Sequence, residues 1–458
     1  MQKIVAINGS PHGKDGNTIY SFQYAQKQFP EVECHIFHVA SSIKKIENDI
    51  NYFNSIIDEI LGADAVFWVF PTYVFLIPSQ FKRFIELIWE RNVEHAFKGK
   101  YATSISTSIH FCDDLALNYI HGISEDLNMK YMTGYSADMR DIDKPEERNR
   151  LSLFAQRFKN IVENKISLPR VHEPIEYKPI EYRPENIQSV PKTKNYKMLL
   201  ITDAEKNDVN LLKMIEIFTR LLPNPVETVN LNDININGCI GCGNCQFNVG
   251  HCVSEDNDDY NKMIREKIKN SDALIFASKI KDRYFSAKWK QMEDRRFVDN
   301  HCPLWNGKQI LYLISGPLRV LSNVNQLLHI SKQVNEAEIA SIVTDEYETS
   351  EEITNLIKAS IDLLFWNLNK EFRFPHTFVG VGSRKLFRDF VWDYQFAFPG
   401  DHKYYKEHGY YDFPKTNLFR NLFQSIILQN EKTRNFFGKK MSLKNREKRK
   451  SLLEEKLM

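Results

Sequence analysis

No apolar run in this chain is long enough to cross a bilayer. The most apolar stretch, Ala65 to Pro78, falls short of the roughly 20 residues that a span needs and contains Pro71 and Thr72. Neither charge is in excess: 61 Lys and Arg face 59 Asp and Glu, for a formal net charge of +2, so nothing global draws the chain to nucleic acid or to a membrane surface. No basic stretch followed by a long apolar segment opens the sequence. MQKIVAINGS runs straight into a strand-like segment, so no signal peptide is expected and a cytoplasmic location is. Cysteine is scarce and uneven. Of seven, Cys34, Cys112 and Cys302 stand alone, whereas Cys239, Cys242, Cys245 and Cys252 crowd into fourteen positions. In a cytosolic protein such crowding points to metal rather than to a disulfide framework.

What is present is globular material, 42% hydrophobic and 26% charged. At 458 residues the chain exceeds one ordinary core. Residues 2 to 165 alternate short apolar runs with amphipathic stretches: KIVAI, a helix from Thr18, VECHIFHV, a helix from about Ile50, AVFWVF, a helix from about Ser79, then YATSIST. This alternation predicts a parallel sheet covered by helices on both faces. Between Leu168 and Pro191 the near-repeat PIEYKPIEYRP and regularly spaced prolines predict an extended, semi-rigid spacer. The alternation then restarts with KMLLIT, VETVNL, the cysteine segment, ALIFAS and QILYLIS, and a helix from Glu351 to Leu368 closes it. The repeated order predicts a duplicated α/β fold, two tandem doubly wound parallel-sheet domains. The expected divisions are a first domain at 1–167, a linker at 168–194, a second domain at 195–370 and an aromatic and basic extension at 371–458. Its lysine-rich tail from Glu431 reads as a solvated helix.

After KIVAI comes Asn8-Gly9-Ser10-Pro11-His12-Gly13-Lys14-Asp15-Gly16-Asn17-Thr18 and then a helix. A loop that leaves the carboxyl end of a parallel strand and opens a helix gathers backbone N–H groups around an anion, and a phosphate monoester suits it. It is neither a nucleotide P-loop nor a G-x-G-x-x-G loop, and a Gly-rich turn with a helix cap is the plainer alternative. Two further strand ends lie at the same edge: Pro71-Thr72-Tyr73-Val74 and Ser106-Thr107-Ser108. Open α/β sheets bind ligands there.

G-S-P-x-x-x-x-G-N-T after the first strand and P-T-Y-V after the third resemble the flavodoxin-like NAD(P)H-dependent FMN reductase family. The resemblance implies that Ser10, His12, Gly16, Asn17 and Thr18 surround an FMN phosphate, with His12 where relatives often carry Arg. It also implies that Pro71, Thr72, Tyr73 and Val74 line the isoalloxazine ring, with Ser106, Thr107 and Ser108 on its other side. The third loop departs from the Gly-rich form common in relatives. His110, just beyond it, is a candidate proton donor, with a structural histidine as the alternative.

Cys239-x2-Cys242-x2-Cys245-x6-Cys252 has the compact triplet of ferredoxin-type iron-sulfur ligation, although Val253 stands where those proteins carry Pro. Zinc, and free thiols or a disulfide, are the alternatives; a structural zinc site more often pairs two separated C-x-x-C units. CIGCGNC, Cys252 and Asp258-Asp259 resemble the iron-sulfur flavoprotein branch of the same family, which implies a 4Fe-4S cluster. Family members carry both loops in one domain. Here the first half has SSIKKIEND where cysteines would stand, and the second has Asp203, Glu205 and Asp208 in place of the phosphate loop and Lys279-Ile280-Lys281 in place of P-T-Y.

The expectation is a fused pseudo-dimer in which FMN in the first half exchanges electrons with a cluster in the second. NAD(P)H or reduced ferredoxin would be the donor, a small molecule the acceptor, and further homodimerisation is open. An electron carrier without its own substrate and a zinc-bearing scaffold are the other readings. Phe398 to Asp412 resembles a C-terminal extension of some clostridial-type relatives; its aromatics either cap the active site or pack on the second half.

Overall fold

Ile4 to Ile7 are apolar in succession, as a strand covered on both faces must be, and the computed structural model places them in β1 (Lys3–Asn8) inside a parallel sheet. The structure describes residues 1–184, 195–222 and 225–414, with Lys432, Phe436 and Lys440; the rest of the basic tail lies outside the described residues. From β1 the chain runs through α1 (Asn17–Gln26), β2 (Glu33–Phe37), α2 (Ile43–Asn48), α3 (Ile50–Leu61), β3 (Ala65–Pro71) and α4 (Ser79–Glu90). It continues through β4 (Tyr101–Ser108), α5 (Asp113–Asp126), β5 (Lys130–Tyr131), β6 (Tyr135–Asp138) and α6 (Pro145–Glu163). The parallel strands are ordered β2-β1-β3-β4-β5, with β6 also paired to β4. This is the flavodoxin-like order, which reverses between β1 and β3 and opens a crevice at their carboxyl ends.

The second half repeats it: β7 (Met198–Thr202), α7 (Val209–Leu221), β8 (Glu227–Asn230), α8 (Asn244–Phe247), α9 (Glu266–Lys269), β9 (Ala273–Lys279), α10 (Ala287–Asp294), β10 (Gln309–Ser315), α11 (Ser322–Val334), β11 (Glu338–Thr344) and α12 (Ser350–Lys370). Its order, β8-β7-β9-β10-β11, is the same topology. The helix expected near Asp258 opens instead as a π-helical stretch, Tyr260–Arg265. A capping box between Thr349 and Glu352 starts α12. Two more helices follow, α13 (Phe378–Asp393) and α14 (Pro399–Glu407). Residues 1–404 pack as one compact unit, and Tyr405 begins a second. Among the described residues no helix is long and apolar enough to cross a membrane.

Alternation along the strands sorts the apolar side chains into three layers. Ile4, Ala6, Phe22, Phe67 and Phe158 fill one outer layer, and Leu200, Phe218, Ile275, Leu311 and Leu364 the other. Between them Val5, Ile7 and Trp68 of the first half share one continuous layer with Leu199, Phe276 and Ile314 of the second.

Equivalent helices meet in that layer: α4 packs on α10 and α5 on α11. The segments β3-loop-α4 and β9-loop-α10 align without a gap, so Lys82 matches Lys290 and Glu86 matches Asp294. Lys82 Nζ lies 2.8 Å from Glu86 and 2.9 Å from Asp282 of the other half. Lys290 pairs with Asp294 and donates to the Tyr73 carbonyl at 2.8 Å. The carboxylates then cross between halves. Glu86 accepts from the Ala287 N–H that opens α10, at 2.6 Å, and Asp294 from the Ser79 N–H that opens α4, at 2.7 Å. Reciprocity of this kind is the mark of a two-fold relation. Both lysines are fully buried.

The proline-rich segment from Leu168 to Pro184 has no helix or strand, in keeping with its sequence, but it is bound along its length rather than spanning freely. Glu125 accepts from the N–H groups of Val171 at 2.9 Å and His172 at 2.8 Å. Ile175 packs on the shared layer, and Ile180 and Tyr182 on the outer layer of the second sheet. The Tyr182 hydroxyl lies 2.8 Å from that of Thr354. The Ile and Tyr of the near-repeat carry apolar area that gains by leaving water, so the expected spacer is a strap.

Lys82→Met leaves Glu86 and Asp282 buried without their counter-charge. We expect a loss of about 3–5 kcal/mol, read from the urea midpoint; a loss below about 1 kcal/mol would show that the crossing contributes little.

Candidate functional site

Asn8 ends β1 and shapes the loop that follows. Its Oδ1 accepts from Ser10 N–H at 3.0 Å, and its amide nitrogen donates to the Gly13 carbonyl at 2.7 Å and lies 2.8 Å from His38 Nδ1. Gly9 permits close approach, since a Cβ there would stand 2.2 Å from the Phe81 ring. No side chain caps α1, so the first amides of that helix are available to an anion. Ser10 and Thr18 are buried beside them, while His12 and Asn17 are exposed. Thr18 Oγ1 lies 2.5 Å from Thr107 Oγ1, which ties the first loop to the end of β4.

The second loop is strained. Val74 and Phe75 both hold positive φ, at 41° and 69°, a conformation that costs non-glycine residues on the order of 1–3 kcal/mol each. Hydrogen bonds between Tyr73 and Leu76 in both directions, at 2.7 and 3.1 Å, pin it, and Thr72 N–H donates to the Thr107 carbonyl at 3.0 Å. All three predicted loops therefore converge on one crevice. Within it the Thr72 and Ser106 hydroxyls are buried with no hydrogen-bond partner among the described residues. Two orphaned hydroxyls at the carboxyl ends of neighbouring strands, with uncapped helix amides at the same sheet edge, fit a polar ligand such as FMN.

Two predicted residues are committed elsewhere. Ser108 donates to Asp113 at 3.2 Å and accepts from His110 N–H at 2.8 Å. His110 is exposed, with Nδ1 3.0 Å from Asp113. Burial would raise the Asp113 carboxyl, but hydrogen bonds from Ser136 and His110 outweigh it and hold the group below its usual range. His12 turns across the crevice mouth, with Nε2 3.0 Å from the Gly241 carbonyl.

That contact brings the cysteine segment to the crevice. Gly241 and Gly243, at φ of 70° and 73°, turn the chain between the cysteines. Asp258 and Asp259 accept from the N–H groups of Asn237 and Asn235 at 3.0 and 2.9 Å. The buried Arg295 pairs with Asp258 and donates to the Asn237 carbonyl at 3.0 Å, and Asn300 donates to the Cys245 carbonyl at 2.6 Å. From the first half, Gln80 donates to the Cys239 carbonyl at 3.0 Å. A Cβ on Gly241 would stand 2.0 Å from the Tyr73 hydroxyl. Tyr73 is buried at this join, edge-on to Phe297 at 5.4 Å. Burial, then the charges of Cys239, Asp294 and Cys242, push its phenol well above the usual range.

Burial pushes the Cys239 thiol up to about 12, with Asp294, Cys245 and Cys252 adding to it; Cys245 rises to about 11 through burial and then Cys242 and Cys252. Unligated, these thiols keep their protons, and a cationic centre would release them. Among the described residues the metal-type ligand atoms that close to within 4.8 Å of one another are those of His121, Glu125 and His172, not those of the four cysteines. Of the lone cysteines, Cys34 packs against an outer layer, and burial raises its thiol to about 12.

Sequence reasoning missed Asn8, Gln80, Lys290, Asp294 and Phe297. The repeated Lys-x-x-x-Glu/Asp of α4 and α10 was the available signal for two of them. In the C-terminal region α13 packs on α11, and Phe387 reaches Phe111, just past β4, at 4.9 Å.

The matching edge of the second sheet is filled from within. Lys279 pairs with Asp208 and Lys281 with Glu205, each at 2.7 Å. Asp203 accepts from Ser286, and the strap's Tyr177 hydroxyl comes within 3.5 Å of Ser315.

Residues 2–135 match the family described as NADPH-dependent FMN reductase. An iron-sulfur flavoprotein of Archaeoglobus fulgidus is 32% identical over 127 residues, covering 26% of this chain and 56% of that protein, so the chain spans little more than half the length of that curated relative. Among solved structures, a flavoenzyme NAD(P)H:(acceptor) oxidoreductase of Paracoccus denitrificans is 20% identical, covering 36% of this chain and 98% of its own, with a TM-score of 0.30. An NADH:FMN oxidoreductase in its apo form is 18% identical, covering 35% and 89%, with a TM-score of 0.30.

Burial raises the Asp203 carboxyl to about 6, against hydrogen bonds from Ser286 and Ser278. A carboxyl raised on folding contributes stability below its unfolded value and loses it as pH climbs through 6. Asp203→Asn is therefore expected to stabilise the protein by on the order of 2–3 kcal/mol at pH 7 to 8 and by little below pH 4. Melting temperatures across that range check it, and a gain independent of pH would contradict the assignment.

Proposed function

We propose, from the match of residues 2–135 to the family described as NADPH-dependent FMN reductase, that the chain is a flavin-dependent oxidoreductase built as a fused pseudo-dimer. FMN would occupy the crevice of the first half, and a 4Fe-4S cluster on Cys239, Cys242, Cys245 and Cys252 would stand against it from the second. The observation that carries this reading is the seating of the cysteine loop on the flavin loops, through Gln80, His12 and Tyr73.

A bound FMN supplies one- and two-electron chemistry that side chains cannot. The chain's own part is positioning. The opening amides of α1, with Ser10, Asn17 and Thr18, would hold the phosphate, and the Thr72 and Ser106 hydroxyls would gain partners at the ring. Lys290 holds the Tyr73 carbonyl, so the second half fixes the loop that lines the ring. Gly241, having no side chain, lets the cysteine loop come down onto Tyr73. The donor would be NAD(P)H or reduced ferredoxin, and the acceptor a small oxidised molecule.

Protein purified without oxygen is expected to be yellow-brown, with one FMN and about four irons per chain; colourless protein carrying zinc would overturn the reading. Cys242→Ala is expected to lose the iron, keep the FMN and slow flavin reduction about tenfold or more in stopped flow, and unchanged kinetics would sink the proposed electron path. Gly241→Ala, which crowds Tyr73, is expected to keep both cofactors and slow the same step.

A further inference from the structure

Toward the C-terminal end of α5 His121 and Glu125 stand one turn apart, and His172 of the strap meets them. One ligand atom from each of the three lies within 4.8 Å of the others. His172 Nδ1 is 3.0 Å from Glu125 Oε2, and His121 Nε2 is 3.2 Å from Glu125 Oε1. An ion bonded to nitrogen and oxygen at about 2.0–2.2 Å in tetrahedral geometry spaces its ligand atoms by about 3.4 Å, and each imidazole nitrogen stands near that distance from one oxygen of Glu125, His172 from Oε2 and His121 from Oε1.

Three features favour an ion over a hydrogen-bonded cluster. His121 Nε2 is buried without a hydrogen-bond partner among the described residues, despite the carboxylate 3.2 Å away; an orphaned buried nitrogen calls for a missing donor or cation. The other ring nitrogen of His172, Nε2, is 2.9 Å from Asn118 Oδ1. An amide oxygen accepts, so Nε2 carries the proton there, and Nδ1 turns toward Glu125 either a lone pair or a second proton. A lone pair facing a carboxylate needs a cation between them, and a polar acceptor on the outer ring nitrogen is the usual support of a metal-bound histidine. Finally, Glu125 uses one acceptor site on each oxygen for the Val171 and His172 N–H groups, and a carboxylate has sites left on both.

We propose that His121, Glu125 and His172 bind a divalent transition metal of the zinc type, with a fourth position open to water, and that this metal clasps the interdomain strap to α5. Two imidazoles select against calcium and magnesium. The clasp sits beside the join between the halves. Gly122, next to His121, lies under the Arg283 side chain, which holds Asp126 by two bonds of 2.7 Å and the strap carbonyl of Glu173 at 2.9 Å. The inference is independent of the flavin reading.

The test uses the full chain, stripped with a chelator and titrated with zinc, in the wild type, in Cys242→Ala and in His172→Gln. Wild type and Cys242→Ala are expected to retain a zinc whose X-ray absorption fine structure has a nitrogen and oxygen shell at about 2.0–2.1 Å. His172→Gln is expected to weaken that zinc about tenfold or more with FMN content unchanged. Zinc seen only with sulfur at about 2.3 Å, or equal zinc affinity in wild type and His172→Gln, overturns the site and leaves His172 as a protonated partner of Glu125. The wild-type spectrum decides even if the variant fails to fold.

Discussion

The crossing of two buried lysine-carboxylate pairs holds this molecule in its working form. Glu86 caps the helix that carries Lys290, and Asp294 caps the helix that carries Lys82. Each half thus completes the other's helix start, and neither pair could stay charged in the interior without the other half around it. The Tyr73 loop hangs on the same device, because Lys290 also holds its carbonyl. Burial pushes the Asp294 carboxyl up, against the pull of Lys290, and this carboxylate lies within electrostatic reach of Cys239. Support for the join and shaping of the site are one network.

The two halves share a topology but differ at the carboxyl edges of their sheets. Where the first half keeps an anion loop with free helix amides, the second places Asp203, Glu205 and Asp208 and satisfies two of them with Lys279 and Lys281. The strap runs over that filled edge and buries Tyr182 beyond it. The cysteine segment, in turn, projects from the second half toward the crevice of the first. The Thr72 and Ser106 hydroxyls, left without partners among the described residues, stand at the edge that the cysteine segment approaches.

Much of the fold was legible in the sequence. Unbroken apolar runs such as Ile4 to Ile7 and Ala273 to Ala277 reveal central parallel strands, and the helix starts at Ile50 and Ser79 fall where their periodicity places them. The short pair β5 and β6 escaped, because two to four residues carry no readable period. The packing of the strap was not legible for a related reason: proline spacing reports backbone extension but not whether the intervening Ile and Tyr find a surface. At the site, the three loops were legible from strand ends and glycines. The engagement of His12 by Gly241, and of Ser108 by Asp113 and His110, was not.

By itself the sequence determined what is local: which segments form strands, and that a glycine-rich loop follows the first strand of one half while a four-cysteine segment lies in the other. Spacing and period act over a few residues, so these features survive without knowledge of the rest. Only the tertiary structure decided which of them face each other. Ser79 and Asp294 are 215 positions apart and His12 and Gly241 are 229, and no local pattern encodes a contact across such a span. It arises from two copies of one fold burying equivalent faces against each other, which also sets His172 of the strap over His121 and Glu125 of α5.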